Sequence, residues 1–143
     1  MQIADVIGQE PRIVRTVKPR ATIADTVDIL AEYGIGAVVV TTDERTIDGI
    51  ISERDVVRHL AREQEGTLRI WVEDLMTTAV STCRPDSDID DVMTTMLDGR
   101  FRHMPIVDEH NALWGLVSLG DLVSARLSEL ESQNRKLRES ATA

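Results

Sequence analysis

Two short segments carry the residues best suited to chemistry. Ser52-Glu53-Arg54-Asp55 and Ser118-Leu119-Gly120-Asp121 each set a hydroxyl and a carboxylate three residues apart. If the serine opens a helix, its Oγ lies beside unpaired backbone N–H groups, where the helix field favours an anion. The carboxylate, one turn in, faces the same mouth. A sugar hydroxyl pair and a phosphate would find partners there. The same spacing also serves as an ordinary capping box, in which Ser and Asp satisfy only the helix's own backbone. Arg100, Arg102 and His103 form a second group, three cationic or titratable side chains within four positions of a chain of net charge −9. Arginine offers a fixed fork of donors to phosphate, and histidine can add a proton near neutrality. A solvated charged loop is the alternative. Arg54 reads either as one more phosphate contact beside Ser52 or as an exposed first-turn residue.

Catalytic chemistry finds less support. The single cysteine, Cys83, excludes an intrachain disulfide. It falls in a predicted strand with no histidine close by, which suits a buried structural thiol rather than a nucleophile. His59, His103 and His110 lack metal-ligand spacing, and no phosphate-binding glycine loop or dinucleotide fingerprint is present. The acidic balance argues against nucleic acid. No run approaches the roughly 18 apolar residues that cross a bilayer, and the first residues lack the apolar core of a signal peptide. The expectation is a cytoplasmic protein, not an enzyme, with no membrane or nucleic-acid partner.

The elements that must position these residues come in two copies. Ile3–Ile7 resembles Val72–Met76, Val14–Pro19 resembles Val80–Pro85, and Thr22–Asp25 resembles Ser87–Asp90. Val38–Val40 resembles Pro105–Val107, and Gly49–Asp55 resembles Gly115–Asp121. The offsets of 69, 66, 65, 67 and 66 residues are nearly constant, so the chain is a duplication. Each half predicts strand, helix, strand, strand, helix. Thr22 and Ser87 open the first helices, with Asp25 and Asp90 completing capping boxes. Ala24, Val27 and Ala31 mark one buried face, and Ile89, Val92 and Met96 the other. Gly34 and Gly99 stand as helix-stopping glycines. Buried strands follow at 37–40 and 104–107, then short strands at 49–51 and 115–117 that lead into helices at Ser52 and Ser118. Aromatics make up only 3% of the chain, so the core is aliphatic. Neither half has enough apolar surface alone, and the two must pack together. Trp71 and Trp114 are expected at the linker and a strand edge. The predicted boundaries are 1–65 and 66–128, followed by a polar tail at 129–143. There Leu127, Leu130 and Leu137 mark a stripe, read as a solvated helix in preference to a coiled-coil arm.

Asp74-Leu-Met-Thr77, Arg102-His-Met-Pro-Ile-Val-Asp108 and the two Gly-apolar-apolar-Ser-x-x-Asp segments, duplicated and in order, resemble a tandem pair of CBS domains. Ser52–Arg58 is similar to stand-alone bacterial members. The resemblance spans about Ile3 to Leu127. It implies an α/β (α+β) fold of two βαββα repeats packed with pseudo-twofold symmetry. It also implies two clefts that bind AMP, ADP, ATP or a related adenosyl compound such as NAD or S-adenosylmethionine. A homodimer and an unidentified regulated protein are the partners it implies. In such clefts the aliphatic Ile35, Ile51, Met104 and Val117 would sandwich the base, next to Pro105. Gly36 and Ala37 would let the backbone approach it. The first repeat lacks the charges of Arg100–His103, so its loop offers no phosphate grip and the two sites should be unequal. The alternative is a structural dimerisation module with vestigial, ligand-free clefts.

Overall fold

The computed structural model describes residues 1–142, so Ala143 of the expected tail lies outside the described residues. The chain runs α1 (Ile3–Ile7), β1 (Thr16–Val17), α2 (Ile23–Tyr33), β2 (Ala37–Val40), β3 (Gly49–Ser52) and α3 (Glu53–Arg62). Two 3-10 turns, Thr67–Arg69 and Val72–Asp74, lead to α4 (Ile89–Gly99), β4 (His103–Val107), β5 (Leu113–Ser118) and α5 (Leu119–Thr142). β1 pairs parallel with β2, which pairs antiparallel with β3. β4 and β5 form the matching antiparallel pair. The second half has no full first strand. There the parallel pairing shrinks to one bridge, Cys83 to Ile106.

Thr22 caps α2 as its sequence predicts, accepting from the Asp25 amide at 3.2 Å while Asp25 accepts from the Thr22 amide at 3.1 Å. Gly34 then takes the left-handed conformation that stops the helix, with φ 60°. The second repeat departs from its expectation at both ends of α4. Its cap is Asp88, which accepts from the Asp90 amide at 2.7 Å. Ser87 instead accepts from the Arg84 amide in the preceding turn. The left-handed residue is Arg100, φ 58°, not Gly99. Gly99 is needed for another reason: a Cβ there would lie 2.3 Å from the ring of Phe101, which folds back over the helix end.

The buried stripe of α4 is Ile89, Val92 and Met96, as expected. That of α2 is Ile23, Thr26 and Leu30, one residue back from the predicted Ala24 and Ala31 face. Both stripes match at an offset of 66 residues. The polar Thr26 at the position of Val92 hides the period, and its hydroxyl is satisfied by the Thr22 carbonyl.

The two cores are built by exchange. Ile3 and Ile7 of the N-terminal segment pack with Ile89, Met96, Ile106 and Leu122 of the second repeat. Val72, from the start of the second repeat, packs with Val17, Ile23, Leu30 and Ile51 of the first. The hydrogen bonds repeat the same reciprocity. The Val72 and Glu73 amides donate to the carbonyls of Ala21 and Pro19, and the Ile3 and Ala4 amides to those of Ser87 and Pro85. Ile3 and Val72 are both wholly excluded from solvent. At about 1.5–3 kcal/mol per buried aliphatic side chain, each crossing fastens one half to the other. Trp71 stays 44% exposed at the linker, and Trp114 is partly buried against the second core.

Candidate functional site

β3 ends where α3 begins, and the junction is a completed capping box. The Asp55 carboxylate accepts through Oδ2 from the Ser52 amide at 2.8 Å and from Ser52 Oγ at 3.1 Å. β5 and α5 repeat the arrangement: Asp121 Oδ2 accepts from the Ser118 amide at 3.0 Å, and Ser118 Oγ accepts from the Asp121 amide at 3.1 Å. Capping uses only Oδ2. Among the described residues, Oδ1 of neither carboxylate has a protein partner, so the cap and a ligand contact can coexist on one side chain. The loop before each repeat's central strand is tied to the following helix. The Glu53 amide donates to the Gly36 carbonyl at 2.9 Å and the Leu119 amide to the Arg102 carbonyl at 2.8 Å.

A hollow opens beside each junction. The first cleft, about 270 Å³, takes Ser52, Glu53, Arg54, Asp55 and Arg58 from the first repeat, with Gly36, Ala37 and Ile50. Its opposite wall comes from the second repeat, with Gly99 through His103 and the lead-in residues Thr77 and Ala79–Ser81. The second cleft, wider at about 680 Å³, takes Leu116, Ser118 and Asp121 from the second repeat. Gly34–Ala37 and the lead-in segment Arg12–Arg15 of the first repeat close it. His103, Gly36 and Ala37 line both.

Most of the expected residues therefore meet, but in a crossed pattern. Arg100, Arg102 and His103 reach Ser52, Arg54 and Asp55, and the first cleft gathers four arginines with Arg58. The uncharged loop Ile35-Gly36-Ala37 reaches Ser118 and Asp121. That loop does lack cations, yet its cleft does not, because Arg12 and Arg15 enter from the lead-in, and the Arg15 guanidinium sits 3.9 Å over the Tyr33 ring.

Ile51, Met104, Pro105 and Val117 line neither cleft. They are buried in the cores, with Ile51 and Val117 wholly excluded from solvent and Met104 2% exposed. Successive strand residues face opposite sides. β3 and β5 turn Ile51 and Val117 inward, so Ile50 and Leu116 face the clefts. Two adjacent aliphatics do not announce which is which. Arg58 could have been found as the residue one turn beyond Arg54. The lead-in segments could have been found from the Val14–Val80 match of the duplication.

Electrostatics single out His103. Burial between the clefts pushes its imidazole below the ordinary 6.5; the carboxylates of Glu53, from the first cleft, and Asp121, from the second, pull it back, and Arg102 opposes them. The ring lies close to Gly36, where a Cβ would come within 3.1 Å of its Cε1. The other candidates for chemistry have structural duties. Cys83 is buried, and loss of hydration pushes its thiol up to about 12, so no thiolate is available near neutrality. His59 Nδ1 bonds Thr67 Oγ1 at 2.9 Å, and His110 sits on the surface beside Glu109. Among the described residues no group of three His, Cys, Asp or Glu side chains is arranged to hold a metal, and no helix is long and apolar enough to cross a membrane.

The family model for the CBS domain matches twice, over residues 4–62 and 72–128. The chain belongs to the CBS-domain family. An uncharacterised 17.7 kDa protein of Acidianus ambivalens is 35% identical over 80% of this chain and 68% of its own length. The crystal structure of a CBS-domain protein of Agrobacterium tumefaciens superposes with a TM-score of 0.81 at 37% identity, covering 88% of this chain and 99% of the other. The CBS-pair protein CBSX2, solved in complex with AMP, superposes with a TM-score of 0.71 at 27% identity over 89% and 96% of the two chains. The mixed α+β architecture of paired repeats is that of these CBS structures, and CBS pairs are in general regulatory rather than catalytic modules.

Proposed function

We propose that this CBS pair is a regulatory module that binds an adenine nucleotide or related adenosyl compound between its repeats and passes its state to a separate protein. One observation carries the reading: the free Asp55 Oδ1, the α3 N-terminus and four arginines from opposite repeats converge on a single concave cleft. The carboxylate suits ribose hydroxyls, and the helix tip with its arginine forks suits phosphate. The AMP complex of CBSX2, in the same fold, supports an adenosyl ligand. Arg54, Arg58, Arg100 and Arg102 favour a phosphorylated nucleotide over the positively charged S-adenosylmethionine. Bases would lie against Ile50 in the first cleft and Leu116 in the second.

Isothermal titration against AMP, ADP, ATP, NAD and S-adenosylmethionine tests this. A ligand at 100 times its Kd should stabilise the fold by about 2.7 kcal/mol in a thermal scan, and no stabilisation by any of the five overturns the assignment. The capping boxes favour a second reading, a structural dimerisation module with ligand-free clefts, because capping by Asp55 Oδ2 already gives the Ser52–Asp55 pair a structural role. Under that reading Asp55→Ala lowers stability by about 1 kcal/mol and changes no titration.

A further inference from the structure

α5 is far longer than its counterpart α3, 24 residues against 10. The globule holds its first turns: Leu122 is fully buried in the second core, and Arg126 pairs with Asp90 and Glu129. Beyond Glu129, among the described residues, the helix makes side-chain hydrogen bonds only from Thr142 to its own Arg138 and Glu139 carbonyls. A projecting helix of about 13 residues is marginal in water by itself. Its face is not uniformly polar, however. Val123, Leu127, Leu130 and Leu137 are exposed by 43, 56, 50 and 70%. With Asn134 and Ala141 they alternate at spacings of four and three residues. This is a heptad seam, with Val123, Leu130 and Leu137 at d and Leu127, Asn134 and Ala141 at a. We propose that α5 pairs with α5 of a second copy of this chain as a parallel two-stranded coiled coil over residues 123–141.

Asn134 decides the orientation. In a parallel, in-register pair each a residue faces its own copy, so the Asn134 amide meets the same amide and the two hydrogen-bond. An antiparallel pair packs a against d and leaves that amide against Leu130, unsatisfied in an apolar seam. A single buried asparagine at a selects two strands and fixes register. The flanking g and e positions agree. They set Gln133 against Arg138 and bring Glu131 near Arg126, which already pairs with Asp90 and Glu129 of its own chain, so no like charges meet. No seam residue lines either cleft, so this surface stands whether or not the nucleotide reading holds.

The test uses the full chain carrying Leu137→Cys, with native Cys83 buried and inert. Mild oxidation should convert most of the protein to a disulfide-linked dimer on a non-reducing gel, and adding Leu130→Glu should abolish the product. In an antiparallel pair centred on the Leu130–Asn134 layer, the two cysteines would sit about 15 Å apart along the axis, out of reach. Absence of the linked dimer overturns the proposal. So does a linked dimer that persists with Leu130→Glu, which would mark chance collision. The seam lies outside both cores, so an unchanged unfolding temperature of the globule verifies that the variants fold.

Discussion

The two clefts share one frame and differ in what fills it. At each, a serine and an aspartate cap a helix and leave one carboxylate oxygen free, and the pairs sit 66 residues apart. The first cleft receives the charged turn Arg100–His103, and the second receives Gly34–Ala37, with cations only from Arg12 and Arg15. Duplication thus repeats the capped helix tip with its free carboxylate oxygen, while the opposing loop changes the charge of the wall that faces it. Arg100 and Arg102 of the second repeat line the same cleft as Asp55 of the first.

The most severe way to break the comparison is to remove one carboxylate. Asp55→Ala should weaken nucleotide binding at the first cleft by about 100-fold, the loss of charge-assisted hydrogen bonds of about 1.5–3 kcal/mol each. Asp121→Ala should leave that affinity within about twofold. Equal losses on titration would mean that the clefts do not act separately. Next in size, Arg100→Ala combined with Arg102→Ala should cost about tenfold for a triphosphate and less for a monophosphate. Preference for ATP over AMP should then shrink. An unchanged preference would remove the arginines from phosphate recognition.

His103 sharpens the comparison by touching both sites. Its folded-state imidazole titrates below the ordinary 6.5 because burial disfavours the cation. The unfolded chain therefore binds the proton more readily, and stability falls as pH drops below the ordinary value toward the lowered one. His103→Gln should flatten that slope in denaturant titrations. A bound polyphosphate favours the imidazolium, so nucleotide affinity should rise by about threefold from about pH 8 to about pH 6. If His103→Gln shows the same rise, the proton belongs elsewhere. The smallest effect is expected in the cores. Cys83 stands where the first repeat has Val17, and Cys83→Val should shift stability by less than about 1 kcal/mol. A larger loss in thermal melting would show that the thiol, rather than its volume, matters there.

Several features could be read directly from local chemistry. Thr22-x-x-Asp25 forms the expected box, and Ser52-x-x-Asp55 and Ser118-x-x-Asp121 form the boxes that were the alternative to a ligand role, since a cap is decided within four residues. Gly34 ends α2 as foreseen. The departures from expectation are equally local, a neighbouring residue taking the role in each. Asp88 displaced Ser87 as cap, Arg100 took the left-handed place expected of Gly99, and Thr26 masked the buried stripe of α2.

Taken alone, the sequence determined the duplication, which is a matter of matching residues at a constant offset, and the main helices, the paired strands and the candidate Ser–Asp pairs, whose signals lie three or four residues apart. Packing in three dimensions put Ile50 and Leu116, not Ile51 and Val117, against the clefts. It alone set Arg100–His103 opposite Asp55 and sent Ile3 and Val72 into each other's halves. Strand alternation leaves either face available, and which face is covered depends on helices many residues away. The crossing of the lead-in segments is likewise a choice between two apolar surfaces of similar chemistry, made by shape and burial once both halves are folded.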